Sequence, residues 1–250
     1  MLKKILLLLI CSILYFPIYA QLTYGVTGLL HMPSAEMQKD KTIMIGGNYL
    51  NKHNIPSSWG YNTYNYFLNV TIFPCLEVNY TCTLLSFGEW GKNGKRYNNQ
   101  DRYFSARLRI LKEGQFFKYM PAIVVGTSDP FSHSITGFKE VGLVDGSTNG
   151  YFNRYYIALS KHFNVKRLGI LGTHLAYIYG NRYDFKFKGL AIGVDFCPSI
   201  YNKLNIIAEY DSKDINLGFS LNLPFNFNAT FELQSGKYVS AGIAYIHCLK

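Results

Sequence analysis

Apolar and polar residues alternate with a period of two over most of this chain. Tyr64, Tyr66, Leu68, Val70 and Ile72 alternate with Asn65, Phe67, Asn69 and Thr71. Leu76, Val78, Tyr80, Cys82 and Leu84 alternate with Glu77, Asn79, Thr81 and Thr83. The same beat runs through Phe104–Ile110, Leu190–Phe196, Ile215–Leu221 and Phe227–Leu233. Successive side chains of a strand point to opposite faces, so each run predicts a strand. Weaker runs lie at 42–50, 120–128, 152–162, 168–179, 203–211 and 237–248. Together they predict about twelve antiparallel strands, near the 9–11 residues that cross a membrane when tilted. Pro56, Pro74, Pro130, Pro198 and Pro224 fall between strands, and Pro121 falls at a strand start. Those are places that tolerate a residue without a ladder N–H.

The predicted connections alternate in length. Segments 51–60, 86–100 and 128–151 are long, whereas 74–75 and 163–167 are short. The hairpins near Asp211–Lys213 and Gln234–Lys237 break the contrast. Short turns on one rim and long loops on the other are the habit of transmembrane barrels. A soluble β-sandwich or lipocalin-like barrel has the same alternation. It would need the Asn, Thr, Ser, Glu and Arg face in solvent and apolar side chains filling a wide lumen. Aromatics near strand ends favour the membrane: Tyr61, Tyr64, Phe73, Tyr103, Tyr155, Tyr156, Tyr177, Tyr179, Tyr210 and Phe225 suit girdles at the two interfaces. The expected fold is all-β, an antiparallel transmembrane β-barrel over 42–250.

The N-terminus changes the compartment. Lys3 and Lys4, an apolar run from Ile5 to Phe16, and Pro17-Ile18-Tyr19-Ala20 read as a secretory signal peptide over 1–20. Cys11 follows Ile10 rather than a small residue, which argues against lipoprotein processing. The mature chain is expected from Gln21, with 21–41 a periplasmic or plug-like segment. The net charge is +10, or +8 without Lys3 and Lys4. A basic balance favours anionic partners such as lipid headgroups, lipopolysaccharide or acidic polysaccharide, and export argues against nucleic acid. Cys75, Cys82, Cys197 and Cys248 form no CxxC pair; an oxidising compartment leaves both disulfides and isolated thiols open.

Candidate chemistry lies on the polar face. Glu77, Arg107, Arg109, Asp195, Glu209, Asp211 and Glu232 are expected to point into the lumen, with Glu77 paired across strands to Arg107 or Arg109. Such charges guide an ionic substrate or fill a narrow barrel with ion pairs. Trp90, Lys92, Lys95, Arg96 and Tyr97 form a loop suited to stacking on sugars and pairing with acidic groups, or simply to solvent near anionic lipid. His174 with Ser160, or Ser132, His133 and Ser134, would be the seed of a lipid-modifying enzyme, but no nucleophile signature accompanies them. No catalytic residue is assigned. The six histidines show no metal-ligand spacing, so neither metal nor cofactor is expected.

The segment Gly25–Met37, followed by Lys41-Thr42-Ile43, is distinctive. With Asp101–Phe104, Leu111–Gly114, Pro121–Gly126, Ala158–Lys161 and Glu209–Asp211, it resembles the YjbH-like family of outer-membrane exopolysaccharide (capsule) biosynthesis proteins. The resemblance implies a single-barrel form of that family, serving polysaccharide production or export without established catalytic residues. Other envelope export proteins are its implied partners. It marks Gly28, Met32, Pro33, Ser34 and Ala35 as the family motif, expected to act as an N-terminal clasp. A narrow pore or structural barrel and a lipid-modifying enzyme are the alternatives.

Overall fold

The computed structural model describes residues 23–57, 59–86, 97, 99–131, 150–180 and 187–249. The signal-peptide reading, Trp90, Lys92, Lys95, Arg96, and Ser132-His133-Ser134 lie outside them. Twelve strands follow one another: β1 Thr42–Leu50, β2 Thr63–Phe73, β3 Leu76–Leu85, β4 Asn99–Leu111, β5 Ala122–Ser128 and β6 Arg154–Val165. Then come β7 Gly169–Tyr179, β8 Gly189–Pro198, β9 Leu204–Tyr210, β10 Ile215–Asn222, β11 Phe227–Gln234 and β12 Tyr238–Cys248. Each pairs antiparallel with its sequence neighbours, and β1 pairs with β12 from Thr42↔Cys248 to Tyr49↔Ala241. The sheet is a closed barrel with no free edge.

Strand length sets the height. At about 3.3 Å per residue an 11-residue strand is about 36 Å long, and a tilt of about 45° leaves about 26 Å of height. The alternation decides the faces. Ile45, Leu68, Leu108, Ile157, Leu175, Ile192, Ile206, Leu217 and Ile243 stand exposed on the outside, drawn from nine of the strands. Phe73, Phe163 and Phe227 extend this apolar band toward the short-turn rim, and Tyr64, Tyr177, Tyr179 and Tyr210 toward the long-loop rim. Tyr103 and Tyr156 do not join the girdles: both are buried and point inward. Their parity decides this, because Tyr103 shares its face with Ser105 and Arg107, and Tyr156 with Ala158 and Ser160. Tyr61 likewise packs on an interior aromatic cluster.

The connections keep the length contrast. Two residues, Pro74 and Cys75, join β2 to β3, and 166–168 join β6 to β7, whereas the connections at the other rim, 51–62 and 129–153, are longer in sequence. Between β11 and β12, Ser235 and Gly236 take φ of 49° and 67°, the left-handed pair that a tight hairpin needs. Cys75, Cys82, Cys197 and Cys248 are all free thiols.

Candidate functional site

The barrel's interior is occupied by its own N-terminal segment. Residues 23–38 are buried throughout and touch the wall on several sides. The segment doubles back on itself, with Thr23 N donating to Leu30 O at 2.9 Å and Leu29 N to Met32 O at 3.1 Å. Its apolar side chains Leu29, Leu30, Met32, Ala35 and Met37 pack against Ala122, Val124, Tyr156, Ala158, Ala176, Ile178, Ala191 and Ile207. The inner face of β5 to β9 is therefore small and apolar over much of its area, not polar throughout. Glycines complete the fit. A Cβ at Gly193 would collide with Leu29 Cδ1 and come to 2.7 Å of Met32 Sδ, and one at Gly218 would sit 2.9 Å from Leu30 Cδ2. Gly25 of the plug, at φ 88°, lies where a Cβ would be 2.7 Å from Phe67 Cβ. Wall and plug are shaped to each other at these contacts.

Charged side chains of the wall hold the plug by its backbone. Glu77 on β3 accepts from Thr27 N at 2.9 Å, Thr27 Oγ1 at 2.7 Å and Asn69 Nδ2 at 2.8 Å. The register places it opposite Arg107 on β4, 3.3 Å away. Arg107 Nη2 in turn donates to Ser34 O at 2.5 Å and Glu36 O at 2.8 Å. One buried ion pair thus grips the plug at both ends. Glu209 on β9 accepts from three consecutive backbone N–H groups: Leu30 at 2.9 Å, His31 at 2.6 Å and Met32 at 3.3 Å. His31 then sits between Asp211 at 3.0 Å and Glu232 at 3.1 Å. His31 and Asp211 lie outside the strands. Burial opposes charge on His31, but Glu232 and Asp211 outweigh it and hold its pKa well above the ordinary histidine value. Burial likewise opposes charge on Asp211, yet its contact with His31 keeps its carboxyl below the usual range.

Aromatic rings close the long-loop end. Tyr24 and Val26 of the plug join Leu50, Ile55, Trp59, Leu85, Tyr103, Phe152 and Phe187. Tyr103 stacks on Phe152 at 4.9 Å, and the Arg154 guanidinium lies 4.8 Å over the Tyr24 ring. Toward the short-turn end, inward positions of three neighbouring strands form a relay. Ser160 Oγ is 2.8 Å from His174 Nδ1, and His174 Nε2 is 2.6 Å from Asp195 Oδ1. Ser160 Oγ also accepts from Ala35 N at 2.7 Å. Nucleophile, base and acid are in line, but the serine is buried and bonded to the plug. His162 stands beside them, bonded to Glu113 at 2.7 Å and to Glu36 of the plug at 3.0 Å.

Glu77, Arg107, Asp195, Glu209, Asp211 and Glu232 are all buried; all but Asp211 sit on inward strand positions, and Asp211 follows the end of β9. Arg109 is half-buried at the short-turn rim, its guanidinium donating to Pro74 O. Gly28, Met32, Pro33, Ser34 and Ala35 are buried in the plug. Tyr97, the one described member of the predicted sugar-binding loop, donates from its hydroxyl to Asn62 O at 2.8 Å and packs on Tyr61 and Tyr64. Sequence spacing missed the convergence of His162, His174 and Asp195, whose ligand-capable atoms lie within 4.8 Å of one another. Only cross-strand register, with Ser160 opposite His174 and Gly172 opposite Asp195, brings them together.

The chain is similar in overall form to three solved outer-membrane structures. A KdgM porin in complex with disordered oligogalacturonate shares 12% identity over 82% of this chain and 98% of that chain, with a TM-score of 0.44. Outer membrane phospholipase A from Escherichia coli shares 11% identity over 84% of this chain and 97% of that chain, with a TM-score of 0.37. The dimeric outer membrane phospholipase of Salmonella typhi with bound calcium shares 10% identity over 84% and 91%, with a TM-score of 0.38. No curated protein matches the chain. The family model described as exopolysaccharide biosynthesis protein YbjH matches residues 20–245. Matched over most of its length, the chain belongs to the YjbH family of exopolysaccharide biosynthesis proteins.

Proposed function

We propose that this chain is an exported outer-membrane barrel, plugged at rest, that assists exopolysaccharide assembly or export without itself catalysing a reaction. The observation that carries the reading is the plug: residues 23–38 fill the lumen through built contacts to β3, β4, β6 and β9. Family membership supplies the polysaccharide, and the exposed apolar band, about as tall as a bilayer core, supports insertion in lipid. On this reading the short turns face the periplasm and the long loops face outward. Outer-membrane lipid, lipopolysaccharide, the exopolysaccharide and other envelope export proteins are the partners. A plugged barrel suits a docking or gated role better than a standing pore.

A second reading rests on the Ser160–His174–Asp195 relay, which has the order of a hydrolase triad. Against it, Ser160 Oγ is already engaged by Ala35 N and buried behind the plug. The first experiment measures secreted and surface polysaccharide in a strain lacking the chain, alone and complemented. A drop restored by complementation supports the export role. Restoration by a Ser160→Ala chain favours the non-enzymatic reading, and unchanged polysaccharide in the deletion strain sinks the export role.

A further inference from the structure

Two histidines at the short-turn end of the lumen share one hydrogen-bonding pattern. His174 turns Nδ1 to Ser160 Oγ at 2.8 Å and Nε2 to Asp195 Oδ1 at 2.6 Å. His162 turns Nδ1 to Glu113 Oε2 at 2.7 Å and Nε2 to Glu36 Oε1 at 3.0 Å. In both rings an outer partner fixes Nδ1 while Nε2 faces a carboxylate. That is how metal-binding histidines are held: a partner on one nitrogen sets tautomer and orientation, and the other nitrogen meets the ion. Between Nε2 and a carboxylate, a proton and a divalent cation are interchangeable occupants.

The geometry points to a divalent transition-metal site at His162, His174 and Asp195, with Glu36 of the plug as the fourth ligand. Ligand-capable atoms of the first three lie within 4.8 Å of one another. Bonds of about 2.0–2.1 Å place tetrahedral ligand atoms about 3.3 Å apart. A bound ion would draw these atoms closer together. The wall already leaves room for the acid and the imidazole to meet. Gly172 is the inward residue of β7 nearest the cluster, and a Cβ there would collide with Asp195 Oδ1 and stand 2.8 Å from His174 Nε2. Asn205 of β9 is a second sign. It is 1% exposed on the inner face, and its amide lies against the Asp195 carboxylate, adding a further polar group to the cluster. Access exists as well, since the His162 and Glu113 side chains are each 29% exposed. Two imidazoles with carboxylates select zinc-like ions over magnesium or calcium, which want oxygen alone. Because Glu36 belongs to the plug and the other ligands to the wall, a bound ion fastens one to the other.

The test is isothermal titration of the purified, chelator-stripped full-length barrel in detergent with ZnCl2. Cold-gel migration checks that each variant stays folded. One Zn2+ per chain is expected, with no saturable heat from MgCl2. His174→Gln and Asp195→Asn should each weaken binding at least ~100-fold. Glu36→Gln, which removes the plug's ligand, should weaken it comparably, and Ser160→Ala roughly 10–100-fold, the range for an outer partner. If His174→Gln does not fold, His162→Gln at the rim carries the same expectation. The absence of a stoichiometric Zn2+ site in the wild type would overturn the assignment. So would binding that survives both His174→Gln and Asp195→Asn, or that is lost only in Cys197→Ser.

Discussion

Arg107→Ala tests whether the plug is held by the buried ion pair. Arg107 is 1% exposed and its guanidinium serves three acceptors: Glu77 on the wall, and Ser34 O and Glu36 O on the plug. Removing it deletes both plug contacts and strands the Glu77 carboxylate in the interior. Breaking a buried pair from one side costs about 3–5 kcal/mol, mostly from the charge left behind. The barrel ladders do not pass through this side chain, so the loss falls on plug docking. At about 1.4 kcal/mol per decade, the undocked fraction should rise roughly a hundred- to a few-thousand-fold. Two assays read it: conductance of the refolded barrel in planar bilayers, and pulse proteolysis of residues 23–38. Openings and faster cleavage are expected, with the cold-gel barrel band retained. Glu77→Gln combined with Arg107→Met should cost less than the sum of the single changes, because no lone charge remains. The control is Arg167→Ala in the exposed turn between β6 and β7. If Arg107→Ala matches that control in both assays, the clasp argument is wrong.

Glu209→Gln replaces an oxygen that accepts plug N–H groups with an N–H of its own. It should weaken docking by about 1.5–3 kcal/mol, seen as faster proteolysis of the same segment. Gly193→Val places side-chain atoms in space held by Leu29 and Met32; overpacking of about 1–3 kcal/mol should favour undocking while far-UV dichroism keeps its β signature. His31 has a raised pKa in the folded state, so its share of stability is full below about 6.5, the unfolded value. That share is lost as pH rises through the folded value. Proteolysis of the plug should therefore quicken at alkaline pH in the wild type and lose that component in His31→Gln; identical pH profiles would remove His31 from the account. Leu68→Arg sets a charge midway along the outer face of β2 and should cost about 2–4 kcal/mol of stability in lipid vesicles. No loss there would contradict a lipid-facing exterior.

What the sequence determined by itself is what repeats locally. Side-chain direction alternates with every residue, so Leu68 outward and Asn69 inward follow from their places in one run. Strand number, loop contrast and the inward set of Glu77, Arg107, Asp195, Glu209 and Glu232 rest on that period. The Glu77–Arg107 pair was also within reach, because β3 and β4 are consecutive strands and antiparallel pairing sets them side by side. Tyr103 and Tyr156 went astray because nearness to a strand end outweighed the parity that sends both rings inward. Only the tertiary structure decided where residues 23–38 go. Their contacts are spread over strands up to 209 residues away, as from Thr23 to Glu232, and no local pattern encodes such a docking. The same holds for Ser160, His174 and Asp195. Each is an unremarkable inward residue of its own strand, and they become one cluster only when register sets Ser160 opposite His174 and barrel closure confines them with the plug. Alternation is a property of the covalent chain, whereas register and lumen filling come from packing the whole barrel at once.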